Sequence, residues 1–174
     1  MTSKPPEADA VPLESADDYA PPTSWVTPRQ LIAITALASG LVATYLHLWK
    51  LGYMGALTCG SGHGCEVVQM SSWGWFLGVD VALIGAIGYS AILVVSVWGS
   101  TPSYEDARWP ALALACLVYP AILFTLRLKY AEFVIMKTFC PWCAVSAVTI
   151  TLHGFLVALD WRRVSRTTIL ADGR

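Results

Sequence analysis

Charged residues divide the chain into long apolar intervals, and four of these reach the length of about 20 residues that a membrane-spanning helix needs. They are residues 30 to 49, 81 to 104, 109 to 126 and 138 to 159, each rich in Leu, Ile, Val and Ala. A fifth interval, 67 to 79, has only 13 residues and contains Gln69, Ser71, Ser72 and two glycines, which suits a short re-entrant or interfacial half-helix. The third span opens on Pro110, acceptable in a first helical turn, and contains Pro120, which removes an internal hydrogen bond. This span is expected to run past Arg127 and to end between Lys129 and Met136, with its charges reaching the interface or facing protein. Residues 1–28 hold six prolines and five acids without apolar periodicity, so they read as a disordered tail, followed by a membrane domain over 29–161 and a basic tail over 162–174. The pattern predicts an all-α integral membrane protein, a bundle of four transmembrane helices with one half-helix after the first exterior loop.

Composition supports that solvent. Of 174 residues, 56% are apolar and 13% charged, against about 25% charged in a soluble domain. A water-soluble monomer is excluded, and a net charge of −1 without a basic stripe excludes nucleic-acid binding. Eight Trp and seven Tyr suit the two interfaces of a bilayer. The region before the first span is too long and acidic for a signal peptide, and Ala56-Leu57-Thr58 before Cys59 is a poor lipoprotein site. Four spans bring both termini to one side, and Arg162, Arg163 and Arg166 just after the last span assign that side to the cytoplasm. Residues 51–80 and 130–138 then face the exterior.

That parity puts four of the five cysteines at one membrane face. Cys59 and Cys65 flank a glycine-rich loop, and Cys140-Pro141-Trp142-Cys143 stands at the mouth of the fourth span. The exterior face is the oxidising one. Pro141 suits a first helical position, which puts Cys140 at the cap, where the helix dipole favours a thiolate. A spacing of three sets Cys143 one turn deeper on the same helix face, so that Cys140 can meet an aqueous thiol and Cys143 a lipid-soluble oxidant. Gly60, Gly62 and Gly64 leave the loop able to swing. Exchange runs by thiolate attack through a mixed disulfide, so Cys65 is the natural partner of Cys140, leaving Cys59 for an outside protein. Other readings stay open for these cysteines: a structural Cys59–Cys65 disulfide, a Cys-x-x-Cys that is a metal half-site or two buried hydrophobic residues, or zinc held by Cys59, His63, Cys65 and the second pair without standard spacing. His63 reads as a solvated loop residue, His47 and His153 as bundle-interior residues, and Cys116 as packing.

Cys59 to Cys65, Ser71-Ser72-Trp73-Gly74, Gly78-Val79 before a span, and Tyr130-Ala131-Glu132 before the Cys-x-x-Cys together resemble the bacterial homologues of vitamin K epoxide reductase. The resemblance covers about residues 30 to 160. It implies a four-helix bundle around a quinone, menaquinone or ubiquinone, with the half-helix across the pocket mouth. Cys143 would be the cysteine nearest the quinone ring, Cys140 its disulfide partner, and Cys59 with Cys65 the shuttle pair. Ser71 matches the family serine implicated in activity, with a local turn or cap hydrogen bond as its structural alternative, and Trp73 either packs at the pocket or anchors the interface. The chain departs from the vertebrate pattern at Val81 and Ala147, where an Asn and a Tyr hold quinone oxygens, which puts epoxide reduction in doubt. It departs from many bacterial relatives at Asp80, a place for Pro, with solvent, Lys137 or a quinone oxygen as its candidate partners.

The resulting expectation is a quinone-dependent thiol oxidoreductase of the bacterial plasma membrane that reoxidises a secreted thioredoxin-fold partner and so drives disulfide formation in exported proteins. About 14 residues follow the fourth span, so that partner is expected to act in trans. Two rivals remain. One is the unrelated four-helix quinone-linked disulfide generator, which carries its Cys-x-x-Cys in the first exterior loop. The other is a small transporter or structural membrane protein with incidental disulfides, for which an acidic residue inside a span would speak; the charge intervals show none.

Overall fold

The computed structural model describes residues 27–57, 59 and 64–172, with side chains through 166. The tail expected over residues 1–28 and the reading of His63 fall almost wholly outside this range. Helix α1 (Pro28–Lys50) starts where the chain supplies a capping box. Thr27 accepts the Gln30 amide at 3.3 Å, the Gln30 side chain accepts the Thr27 amide at 3.0 Å, and Pro28 takes the first helical position. The half-helix α2 (Gly64–Met70) leads into a 3-10 turn at Ser72–Gly74. Next come β1 (Trp75–Phe76) and β2 (Val79–Asp80), an antiparallel hairpin whose two loop residues, Leu77 and Gly78, both lie at positive φ, 52° and 80°. Helices α3 (Val81–Gly99), α4 (Arg108–Tyr130) and α5 (Pro141–Asp172) follow. Among the described residues, four helices are long and apolar enough to cross a membrane.

The helices alternate in direction. The last residue of α1, Lys50, meets Asp80 at the start of α3, while Arg29 near the start of α1 meets Gly99 at the end of α3 and Asp160 late in α5. The bundle therefore has a cysteine end and an opposite, far end. Helix α1 packs most extensively on α3, and α4 on α5. Ile32, Ala36, Ile92, Leu114, Val118 and Val157 form the central core. The opposite face of each helix is turned outward: Ile34, Leu41, Ile87, Leu123 and Val148 are all exposed, as lipid contact demands.

Several expectations need correction. The second span ends at Gly99 rather than 104, because the Ser100 amide turns back to the Ser96 and Val97 carbonyls and closes the helix. The third does run past Arg127, and ends through a π-helical turn over Ala131–Ile135. The fourth helix continues through Asp172, so the basic segment after residue 161 extends the helix as far as the described residues go. Asp160, read as the end of that span, is a buried interior residue of α5, whereas Glu132, buried in the π turn, faces protein, one of the two placements expected for the charges there. Cys116 faces outward and is not a packing residue.

Candidate functional site

The site is assembled at the cysteine end from three segments. The first is Cys140-Pro141-Trp142-Cys143. Pro141 opens α5, the Cys140 carbonyl accepts the Ala144 amide at 3.0 Å, and the Cys140 Sγ accepts the Cys143 amide at 3.3 Å. Cys140 is thus the helix cap, its sulfur doing what a Ser or Asp oxygen does elsewhere. The Cys143 thiol hydrogen-bonded to it holds the Cys140 thiol below the ordinary range, against the opposing effect of burial and with help from the Cys143 amide.

The second segment is the connection from α4. Lys137 takes a positive φ of 48°, and the chain folds back so that the Thr138 amide reaches the Glu132 carbonyl at 3.1 Å. The buried Glu132 carboxylate then accepts the Cys140 amide at 2.7 Å and pairs with Lys129 at 2.7 Å. Lys129 and Glu132 lie three apart, on one face of the chain's last helical turns. At the sequence level Glu132 stands only in the Tyr130-Ala131-Glu132 element of the resemblance and Lys129 only at the end of the third span; neither is expected in the site.

The third segment carries the loop cysteines. Cys59 and Cys65 are joined in a disulfide, with Cα atoms 5.9 Å apart, while Cys140 and Cys143 are free thiols. Cys65 and Cys140 are both fully buried and share one cluster with Leu46, Leu57 and Ala82, with Cys59 and Cys143 packed against it. Gly64 makes the approach possible: a Cβ there would come 2.3 Å from the Phe139 carbonyl oxygen and 2.8 Å from the Thr138 hydroxyl. All four expected cysteines are therefore gathered at one end of the bundle.

Behind them lies a cavity of about 420 Å³, lined by Val81, Tyr89, Leu117, Pro120, Phe124 and Ser146 among others. It shares Val81, Tyr89, Leu128 and Ser146 with a smaller recess that Cys143, Gln69 and Trp142 also line. Tyr89 reaches the Ser146 hydroxyl at 2.9 Å, and Gln69, buried on α2, points its amide at the Cys143 sulfur at 3.6 Å. Trp73 lines a second recess with Cys143, Lys129 and Glu132, its ring lying 4.9 Å beneath the Arg127 guanidinium.

Two residues expected at this pocket are elsewhere. Ser71 donates its hydroxyl to the Val68 carbonyl at 2.7 Å, the local turn bond named as its alternative, and does not line the recesses at Cys143. Asp80 caps α3 by accepting the Ala82 amide at 3.0 Å and pairs with Lys50 and with His47, the latter at 2.7 Å. Its partner is neither Lys137 nor the cavity. Burial works to raise the Asp80 pKa, but the bonds from Lys50, His47 and the Ala82 amide outweigh it and hold the carboxyl below its usual range. His47 accordingly stands at the bundle rim with Asp80, whereas His153 is fully buried.

Residues 30–158 match the Vitamin K epoxide reductase family, a match that covers most of the chain. The chain belongs to that family. Membership makes it a membrane oxidoreductase and accounts for the two cysteine pairs at the head of a four-helix bundle. The family is quinone-linked, and the residues here fit such a group: an apolar cavity of a size typical for small-molecule sites with the Tyr89 phenol on its wall, and beside it a smaller recess that shares Tyr89 and carries the Gln69 carboxamide and Cys143.

Proposed function

We propose that this family member is a thiol oxidase that forms disulfides for exported proteins. The carrying observation is the shared burial of Cys65 and Cys140, with Gly64 drawn against Phe139. A thioredoxin-fold partner's thiolate attacks the Cys59–Cys65 disulfide, and the partner leaves oxidised once its second thiol resolves the mixed disulfide. The Cys59 and Cys65 thiols so formed carry the two electrons. Cys65 then attacks Cys140 of an oxidised Cys140–Cys143 pair, Cys143 departs as thiolate, and Cys59 closes on Cys65 to release Cys140. Capping by the Cys143 amide and the lowered Cys140 pKa favour the final release of Cys140 as thiolate.

A quinone bound in the cavity would accept the two electrons together with two protons. Cys143, Gln69, Tyr89, Trp73 and Ser146 would hold and orient it, and the apolar walls from α3 and α4 exclude water. The basic triad Arg162, Arg163 and Arg166 supports a cytoplasmic far end and an exterior cysteine end in the plasma membrane.

Purified protein in lipid, given quinone and a reduced thioredoxin-fold protein, should oxidise it, and Cys143→Ala should abolish this. Equal rates for both would reject the oxidase. Cys59→Ser and Cys65→Ser should trap different mixed disulfides; identical products would reject the assigned order.

A further inference from the structure

Three buried side-chain polar atoms lack any hydrogen-bond partner among the described residues: Ser96 Oγ, His153 Nδ1 and Asp160 Oδ1. Each sits inside a membrane-spanning helix, where an unpaired polar group is costly unless water meets it. They do not lie at random. His153 and Asp160 are seven residues apart on α5, so they share a face about 10 Å apart along the helix. On α3, Tyr89 and Ser96 have the same spacing. Cross-contacts align the two rows. The Tyr89 and His153 rings meet edge to face at 6.1 Å, and Arg29 joins Asp160 at 2.8 Å to the Gly99 carbonyl, one turn beyond Ser96. Helix α1 adds Thr35, whose hydroxyl is 2.8 Å from His153 Nε2. The row ends at the Tyr89 hydroxyl on the cavity wall.

We infer that bound water meets these orphaned atoms and that the row is a proton path from the far end of the bundle, at Arg29 and Asp160, to Tyr89 at the cavity, with water crossing the packed layer of Ile32, Ile92 and Val157 between its two ends only transiently. Buried water typically bonds two to four polar partners, and each orphaned atom supplies one of them. Intramembrane ionisable residues facing a bundle interior commonly mark such relays. The path rests on the oxidase reading for its purpose. Oxidising one dithiol yields two electrons and two protons, and the acceptor takes up two of each. The thiol protons leave at the cysteine end, while the two protons for the cavity arrive from the opposite face.

The test uses the full chain in lipid nanodiscs without quinone. NMR of histidine-labelled protein, with His153 assigned by its loss in His153→Gln, reads magnetisation transfer between water and the His153 ring. Transfer is expected; a ring with no water contact, protected throughout D2O exposure, overturns the path. In vesicles whose lipid carries an added quinone, with the cysteine end outward and a pH dye inside, turnover on external dithiol protein should alkalinise the interior. Ser96→Val and His153→Gln should each slow this about tenfold or more, with Cys140 alkylation unchanged. An interior pH that stays flat during turnover overturns the path. Should no dithiol be oxidised at all, the oxidase reading fails, and the water contact alone decides for or against the path.

Discussion

The Cys140 amide donates to the Glu132 carboxylate at 2.7 Å, which ties the reactive end of α5 to the end of α4. Through Lys129, the same carboxylate sets a charge pair beside the Cys140 sulfur.

This pair makes the Cys140 titration adjustable in both directions. The Glu132 charge raises the Cys140 pKa and the Lys129 charge lowers it, both behind the larger effect of the Cys143 thiol. Alkylation of Cys140 followed by mass spectrometry against pH should therefore shift to lower pH in Glu132→Gln, and to higher pH in Lys129→Gln and, most strongly, in Cys143→Ala. A shift of the same sign in Glu132→Gln and Lys129→Gln would show that the pair does not act through its charges.

Gly64 sets how close the loop cysteines come to the helix cap. Gly64→Ala places a methyl group against backbone that has little room to yield. Attack of Cys65 on an oxidised Cys140–Cys143 pair, followed as the Cys65–Cys140 mixed disulfide in a Cys59→Ser background with the released Cys143 thiol alkylated, should slow by about tenfold, the equivalent of roughly 1.4 kcal/mol. Gly55→Ala, where a Cβ meets nothing within 4 Å, should leave the rate unchanged.

The four spans were legible because uncharged length is the signal that a bilayer demands, and span parity alone put both cysteine pairs on one face. The same charge-interval logic misread Asp160. It treats every charge as a boundary, whereas Arg29 and Asp160 neutralise each other inside the bundle across 131 residues of sequence. Lys50 and Asp80 repeat the lesson at the cysteine end: nothing local in either segment indicates that they meet. The hairpin at 75–80 was invisible for another reason. Two-residue strands are too short for alternation to show, and Leu77-Gly78 lacks the usual Asn-Gly turn signal. Ser71 and Trp73 were named from resemblance, and only the backbone path after α2 separates the hydroxyl turned to Val68 from the ring beside Cys143.

At the far end, the Arg29 guanidinium bonds Asp160 and the Gly99, Tyr104 and Ala107 carbonyls, joining α1, the α3–α4 connection and α5. Arg29→Ala should cost about 3 to 5 kcal/mol, because it strands a buried carboxylate. Arg29→Lys should recover only part of this, since an ammonium lacks the planar fork that serves several acceptors at once. The double variant Arg29→Met, Asp160→Leu should be more stable than Arg29→Ala. Thermal unfolding in detergent orders the four proteins.

Asp80 gives stability a pH dependence with a fixed sign. Its carboxyl is held below the usual range in the folded state, so the unfolded chain binds the proton more readily. The contribution is therefore fully present above the unfolded carboxylate pKa of about 4 and is lost as pH falls through the lower folded value. Asp80→Asn removes that dependence and leaves Lys50, almost wholly buried, without its carboxylate. The variant should melt lower at neutral pH, by an amount corresponding to about 3 kcal/mol, and its deficit should shrink as the pH is taken toward 3, where the wild-type carboxylate is itself being protonated. Melting temperatures of both proteins between pH 3 and 7 decide the matter: parallel curves would mean that Asp80 acts only as the cap of α3 and that its pairing with Lys50 and His47 adds nothing.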